Sequence, residues 1–461
     1  MAKETKTSTN PPLLEVCNLS FTHVGQPQPT IQDIHLTLNP GELIVLAGAT
    51  GSGKSTLLNC LTGIAPEHTG GKLSGQVCYR GQDITDWSIR QRSQVMGILL
   101  QNVETQIFTD RVWEELVFGL ENWNLPPETI KTLTHQALHG FDLVSQQDWQ
   151  IRQLSAGQKQ RLLLACLLTR NPEMLLLDEP FAFLDGAGVQ LLLNLIQRRV
   201  EQGQAVLVIE HRLELLQPVC DRVYRILDGC VTPWALSQCP AQIDVENPMT
   251  ALSLSQSEAA LASGLLLQTH NLSWGGYPPF PNLQVQSGEI VLIKGDNGCG
   301  KTTLLKLLSG LLKPTTGHLD ILGRDATRKR VVQIAKTVGF VLQNPNHQLF
   351  AESVQAEVRQ PGVSAPQALT LLEQLNLTHC ADKHPHALSQ GQKRRLALGA
   401  VLARRPQICL LDEIMVGQDP QSLALMLQTL KTFTNQGGVL IFTSHDPGVA
   451  KRLGGRVVAV G

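Results

Sequence analysis

The chain has 461 residues, too many for one ordinary domain and enough for two or three. Hydrophobic residues make up 42%, enough for real cores, and charged residues only 17%, which argues against long disordered tracts. Lys and Arg number 38 against 39 Asp and Glu, a net charge of -1, so the electrostatic footprint of a nucleic-acid binder is missing and no nucleic-acid partner is expected. The short basic runs Arg328-Lys329-Arg330 and Arg404-Arg405 read as solvated helix faces. Ten cysteines without a C-x-x-C pair argue against a metal site or redox dithiol and fit a reducing cytosol. No stretch approaches the roughly 18 apolar residues of a membrane span; residues 162–168 are bounded by Arg161 and Arg170. A membrane role therefore has to come through a partner.

In chain order, residues 1–12 form a polar tail with no apolar signal segment. Residues 43–46 are a short apolar run read as a buried strand. It leads into Gly48-Ala-Thr-Gly-Ser-Gly-Lys-Ser55, then an apolar helix start at Leu57-Leu58. Gln101-Asn102 follows, then Leu154-Ser-Ala-Gly-Gln158 and a predicted helix over 158–169. A strand over 174–177 runs into Asp178-Glu179, a helix covers 188–199, and a strand over 205–209 precedes His211. These blocks then recur in the same order. Gly295-Asp-Asn-Gly-Cys-Gly-Lys-Thr302 stands 247 residues after the first octapeptide, and Gln343-Asn344 stands 242 after its counterpart. Leu388-Ser-Gln-Gly-Gln392, Asp412-Glu413 and His445 all stand 234 after theirs, and strands are predicted at 290–293, 408–411 and 439–442. The chain is a duplication. We expect a tail at 1–12, a first domain at 13–228, a linker at 229–264 containing Pro233, Pro240 and Pro248, and a second domain at 265–461. Continuously apolar strands alternating with helices predict an α/β fold with a mostly parallel sheet in each half.

Each octapeptide has the form G-x-x-x-x-G-K-[ST] between a strand and a helix. Gly48, Gly51 and Gly53, with Gly295, Gly298 and Gly300, let backbone N–H groups surround phosphate oxygens at the positive end of the following helix. Lys54 and Lys301 are expected on the β- and γ-phosphates. Ser55 and Thr302 are expected on Mg²⁺, with Thr56 and Thr303 beside them in the phosphate set. Asp178 and Asp412 end a strand at the sheet edge where such folds bind ligands and are expected to hold Mg²⁺. Glu179 and Glu413 are expected to polarise the attacking water. Cys299, inside the second loop, reads either as a reactive thiol near Lys301 or as a small residue filling a serine-sized place.

The runs Leu154–Gln158 and Leu388–Gln392 resemble the LSGGQ signature of ATP-binding cassette proteins, with Ala156 and Gln390 departing at the third position. The resemblance covers both halves. It implies two tandem P-loop NTPase domains of the ABC type, each a mostly parallel core with a β subdomain and a helical signature subdomain. It implies that the two cassettes pair within the chain around two ATP molecules, each ATP lying between the Lys–Glu set of one half and the signature of the other. Ser155, Gly157 and Gln158, with Ser389, Gly391 and Gln392, then face nucleotide. Gln101 and Gln343 match the Q-loop glutamines that reach Mg²⁺ and sense a membrane partner, and His211 and His445 match the switch histidine. Asp185 and Asp419 match the D-loop aspartate, the second in the poorer context Val-Gly-Gln-Asp419 after Ile414. The resemblance also implies an adenine-stacking aromatic, Phe21 or His23 in the first half and Trp274 or Tyr277 in the second.

The runs Gln101-Asn-Val-Glu-Thr-Gln106-Ile-Phe108 and Gln343-Asn-Pro-Asn-His-Gln348-Leu-Phe350 look like those of energy-coupling factor ATPases, the cobalt- and vitamin-importing branch. That likeness implies an ATP-hydrolysing subunit at the cytoplasmic face of the cell membrane, with a transmembrane coupling protein and a substrate-binding membrane protein as partners. The coupling protein of that branch inserts helices into grooves on the cassettes, and Phe108 and Phe350 either line those grooves or belong to the core. The competing functions are a tandem ATPase of a sugar importer and a soluble ribosome-acting tandem ATPase. The short, non-basic linker speaks against the second.

Overall fold

The apolar runs form the strands Leu43–Ala47, Met174–Asp178, Ala205–Ile209, Ile290–Lys294, Ile408–Asp412 and Val439–Thr443. Five of them extend one residue beyond the expected run, ending on Ala47, Asp178, Lys294, Asp412 and Thr443. The computed structural model describes residues 11–49, 51–182, 184, 186–235, 264–276, 278–296, 298–415, 418–444, 449 and 452–460. Contacts divide the chain into two units, Met1–Ile243 and Asp244–Gly461.

In the first unit the main sheet runs in the order Cys230–Trp234, Arg222–Leu227, Leu43–Ala47, Ala205–Ile209, Met174–Asp178, Met96–Leu99. All neighbours are parallel except the outer hairpin. The second unit repeats this order with Val338–Val341, Ile408–Asp412, Val439–Thr443, Ile290–Lys294 and Arg456–Ala459, all parallel. Because four adjacent strands point the same way, their C-terminal ends deliver the Gln, the acidic pair, the switch segment and the phosphate loop to one edge.

Strand alternation explains the unbroken apolarity. Ile44, Leu46, Leu176 and Leu207 face one core, shared with a four-stranded antiparallel sheet that includes Leu14–Thr22 and Ile31–Leu38. Val45, Leu175, Leu177 and Val208 face another, shared with helices that include Ala156–Leu168. Both faces are covered, so neither can be polar. The second unit has the same pair of cores.

The first domain's sheet continues past the expected boundary at 228. Asp228 and Gly229 both have positive φ, 46° and 76°, and Leu227 pairs with Cys230. This is a two-residue Asp-Gly hairpin turn, so residues 230–234, expected as linker, are an edge strand that carries Pro233. Residues 236–263 lie outside the described residues.

The phosphate-loop helix Lys54–Thr62 is held at its far end by Arg92, which is 1% exposed. Its guanidinium donates to the carbonyls of Cys60 (3.1 Å), Leu61 (2.7 Å), Trp87 (3.1 Å) and Thr85 (2.6 Å). A cation here satisfies carbonyls that the helix leaves open and opposes its negative end. In the second unit the corresponding place is taken by Ile334, whose side chain lies over Gly310 as Arg92 lies over Gly63. Arg92→Ala should leave these acceptors unpaired in the interior and destabilise the first unit by about 3 kcal/mol, measured by urea unfolding.

Candidate functional site

Each phosphate loop is shaped by glycine where nothing else fits. Gly53 and Gly300 cap their helices at φ 104° and 100°. A Cβ on Gly48 would lie 2.7 Å from the Ile226 carbonyl oxygen, and one on Gly295 would lie 2.2 Å from that of Val460. Lys54 is buried and its ammonium donates to the carbonyls of Gly48 (2.8 Å) and Ala49 (2.7 Å). Lys301 makes the same pair of bonds to Gly295 and Asp296, both at 2.9 Å. The loop thus curls around its own lysine and concentrates positive charge at the helix start.

Ser55 Oγ donates to Asp178 Oδ2 at 2.9 Å, and Thr302 Oγ1 to Asp412 Oδ1 at 3.1 Å. A hydroxyl and a carboxylate converging beside a phosphate cradle are hard oxygen donors, which is the chemistry Mg²⁺ requires. Burial, then the neighbouring Glu179 charge, pushes Asp178 up to about 7. Burial and Glu413 push Asp412 to about 6. Burial would also raise Glu179. The His211 ring, at 3.2 Å, and the Gln101 amide outweigh it, and Glu179 lies below the ordinary glutamate value. Both glutamates have left-handed backbones, φ 50° and 52°. That conformation is uncommon for a residue with a side chain and recurs at functional sites. Nothing in the sequence signals it.

The structure brings Gln101, Asp178, Glu179, His211, Lys54 and Ser55 together at one strand edge. Gln343 joins Glu413 in the second unit, donating to its Oε2 at 2.8 Å. His445, Asp185 and Tyr277 lie outside the described residues. The signature serines have local partners. Ser155 caps the helix Ala156–Leu168, accepting from Gln158 N at 3.2 Å while Gln158 Oε1 accepts from Ser155 N at 2.9 Å. Ser389 and Gln392 repeat this capping box on Gln390–Ala403 at 3.3 and 3.0 Å. The S-x-x-Q spacing carries that signal in the sequence. Gly157 and Gly391 lie buried in the first turns of these helices. Asp419 is buried and caps the helix Pro420–Asn435, accepting from Ser422 N at 3.0 Å.

The open choices narrow. Phe21 is fully buried, whereas His23 is part-exposed with its Nε2 3.4 Å from Thr56 Oγ1, so His23 is the aromatic at the first loop. Trp274 packs partly against the second unit's core. Cys299 packs against the same core, and its sulfur lies under Gly295 as the Ser52 hydroxyl lies under Gly48, which fits the small-residue reading. Phe108 and Phe350 are 71% and 83% exposed and are not core.

Sequence reasoning missed how those phenylalanines are held. Gln106 Oε1 accepts from Leu100 N, and Gln348 Oε1 from Leu342 N, both at 2.7 Å. The buried Glu115 accepts from Phe108 N (3.1 Å) and Thr109 N (2.8 Å). The buried Glu357 accepts from Phe350 N and Ala351 N, both at 2.8 Å. A groove of about 500 Å³ beside Phe108 is lined by Glu104, Ile107, Asp110, Arg152 and Lys159.

A family model described as ABC transporter matches residues 31–182 and 281–416, more than half the chain. The chain belongs to this family. It is an ABC ATPase that binds and hydrolyses ATP, and such subunits of transporters pair with membrane components. A Bacillus subtilis protein provisionally named an HMP/thiamine import ATP-binding protein is 30% identical, over 94% of this chain and 87% of its own. An ABC transporter ATP-binding protein, also provisionally named, from Methanosarcina mazei is 29% identical over 97% and 93%. A solved structure named RNase-L Inhibitor aligns over 95% of this chain and 87% of its own with a TM-score of 0.61; at 20% identity this shows the fold alone. Among the described residues, no helix is long and apolar enough to cross a membrane.

The charge at Asp178 has a consequence for this ABC ATPase without ligands. Its carboxyl lies near 3.8 when unfolded and about 7 when folded. The folded chain holds that proton more tightly, so its stability falls as pH rises from about 4 to about 7. Asp178→Asn removes the dependence. In chelator and without nucleotide, the variant should gain on the parent across that window, by up to about 4 kcal/mol at pH 8, read from paired denaturant titrations at pH 5 and pH 8.

Proposed function

We propose that this chain is the tandem ATPase of an energy-coupling-factor importer for a vitamin, cobalt, nickel or similar micronutrient. It would work at the cytoplasmic face with a transmembrane coupling protein and a substrate-binding membrane protein. The observation that carries the reading is the pair of exposed phenylalanines, each displayed by the same Gln–Glu anchoring on a loop that begins at Gln101 or Gln343. An apolar side chain held rigidly into solvent is a built contact surface. The Bacillus relative's provisional name, an HMP/thiamine import ATP-binding protein, fits import of a vitamin.

On this reading the glycine loops and Lys54 or Lys301 bind the phosphates, and His23 stacks on adenine in the first cassette. Ser55 with Asp178, and Thr302 with Asp412, would hold Mg²⁺, which when bound supplies charge neutralisation at the phosphates. Gln101 and Gln343, which contact the neighbouring Glu179 and Glu413, would join that set. Glu179 is ionised and aimed by His211. It accepts a proton from the water that attacks the γ-phosphorus, and ADP leaves with the electron pair of the broken P–O bond. Glu413 does the same in the second cassette, with His445 as the proposed partner. The two cassettes close on two nucleotides through the signatures at Ser155–Gly157 and Ser389–Gly391, and closure drives the membrane partner by differential affinity for its two states. The domain limits are proposed as 13–234 and 265–461, with the linker between.

Glu179→Gln combined with Glu413→Gln should still bind ATP while turnover falls at least about 100-fold. Near-parental turnover in a steady-state phosphate-release assay would remove the base assignment. Phe108→Ala combined with Phe350→Ala should abolish co-purification of integral membrane proteins from native membranes and leave ATP hydrolysis of the isolated chain within about twofold. Retained membrane partners would argue against the docking role.

A further inference from the structure

The two cassettes hold their acidic pairs by different chemistry. Asp178 pairs in register with Ile209, and Asp412 with Thr443, so Thr443 stands where the first cassette has Ile209. In the first cassette the Glu179 amide donates to the Ile209 backbone carbonyl at 2.9 Å. In the second, the Glu413 amide donates to the Thr443 hydroxyl at 3.0 Å. That hydroxyl donates in turn to Asp412 Oδ1 at 3.0 Å, the oxygen that also receives Thr302 Oγ1 at 3.1 Å. Thr443 is 1% exposed, so no water competes for these bonds.

We propose that Thr443 is a positioning residue for the second cassette, joining the phosphate-loop helix, Asp412 and the backbone of Glu413 in one hydrogen-bonded chain. This rests on the roles proposed above for Asp412 and Glu413. The Glu413 peptide is the one with φ 52°, a conformation that needs support from outside. A hydroxyl bridging from that peptide to the adjacent carboxylate fixes both acids relative to each other and to Thr302. It also directs Asp412 Oδ1 inward, leaving Oδ2 for a ligand. Ile209 has no side-chain donor or acceptor, so the first cassette has no such bridge. There Glu179 is held by His211, at 3.2 Å.

The test compares Thr443→Val, which keeps the shape and removes the hydroxyl, with Thr443→Ser, which keeps the hydroxyl, in the full chain. Thr443→Ile, copying the first cassette, serves as a second hydroxyl-free variant should Val disturb folding. We expect Thr443→Val to lower kcat about tenfold with the KM for ATP within about twofold, as a misplaced but present group does. Mn²⁺ titration with ATP, followed by electron paramagnetic resonance, should show one of two ions bound more weakly. Thr443→Ser should restore both readouts. A parental kcat in both hydroxyl-free variants, or a serine variant no better than valine, would overturn the proposal. Unchanged Mn²⁺ binding would overturn the bridge to Asp412. Glu413→Gln alone separates the layers: if it leaves turnover intact, the base assignment fails, and if it abolishes turnover while Thr443→Val does not, only the Thr443 inference fails.

Discussion

Two adjacent carboxylates at the end of a buried strand repel each other and are cut off from water, yet each cassette must keep them there. Burial favours their neutral forms, and the nearest compensation is local: a loop hydroxyl on the aspartate, and an imidazole or amide on the glutamate. Much of the architecture follows from this requirement. The parallel order places the phosphate-loop strand and the Gln strand within two places of the acidic strand, so the compensating groups arrive from neighbours at a shared edge. The left-handed turn at Glu179 and Glu413 separates the two acids in direction while they remain adjacent in sequence. Asp178, raised to about 7 by burial and by Glu179, shows what Ser55 and Lys54 leave uncompensated.

The duplication shows which parts of this solution are fixed and which are free. The hydroxyl-to-aspartate bond, the lysine folded over its own loop, the Gln anchor and the buried Glu beneath the exposed Phe occur in both copies with nearly the same lengths. Around them the copies diverge. Lys159 pairs with Glu104 at 2.6 Å in the first copy, where the second has Lys393 and Asn346. Gln160 donates to the Pro180 carbonyl at 2.5 Å, and its counterpart is the buried Arg394. Arg92 becomes Ile334 and Ile209 becomes Thr443. These changes sit in the shell that supports the reacting groups, where one packing or hydrogen bond can replace another without moving the groups themselves.

The strands, the two-cassette plan and the loop and acidic residues were legible because they depend on local pattern. A run of buried apolar residues, a spacing of glycines and a repeated order each carry their meaning along the chain. The antiparallel sheet appears in the sequence only as imperfect alternation over residues 14–22, and its implied presence came from the resemblance. Asp228-Gly229 is a readable hairpin signal, but Pro233 and the prolines beyond it point to a linker. The capping boxes at Ser155 and Ser389 are equally readable, from the S-x-x-Q spacing that the nucleotide-binding signature also contains. Thr443, Glu115, Glu357 and Arg92 could not be found this way. Each acts on residues brought near by the fold, and a buried polar side chain in an apolar run has no local mark that says what it meets.

On the proposed function, the chemistry and the partner surface are separated by only the six residues between Gln101 and Phe108. Gln101 contacts Glu179, Gln106 pins the same loop to the end of its strand through Leu100, and Phe108 stands in solvent two residues later. The second copy repeats this with Gln343, Gln348 and Phe350. A segment pinned at its middle cannot absorb a push at one end by bending freely, so movement at the phenylalanine reaches the glutamine as displacement or as strain on the pin. Equally, a nucleotide that draws Gln101 or Gln343 away from its glutamate changes what the loop presents outside. Coupling of this kind must act in both directions, since a partner that favours one loop position also favours one state of the acidic pair.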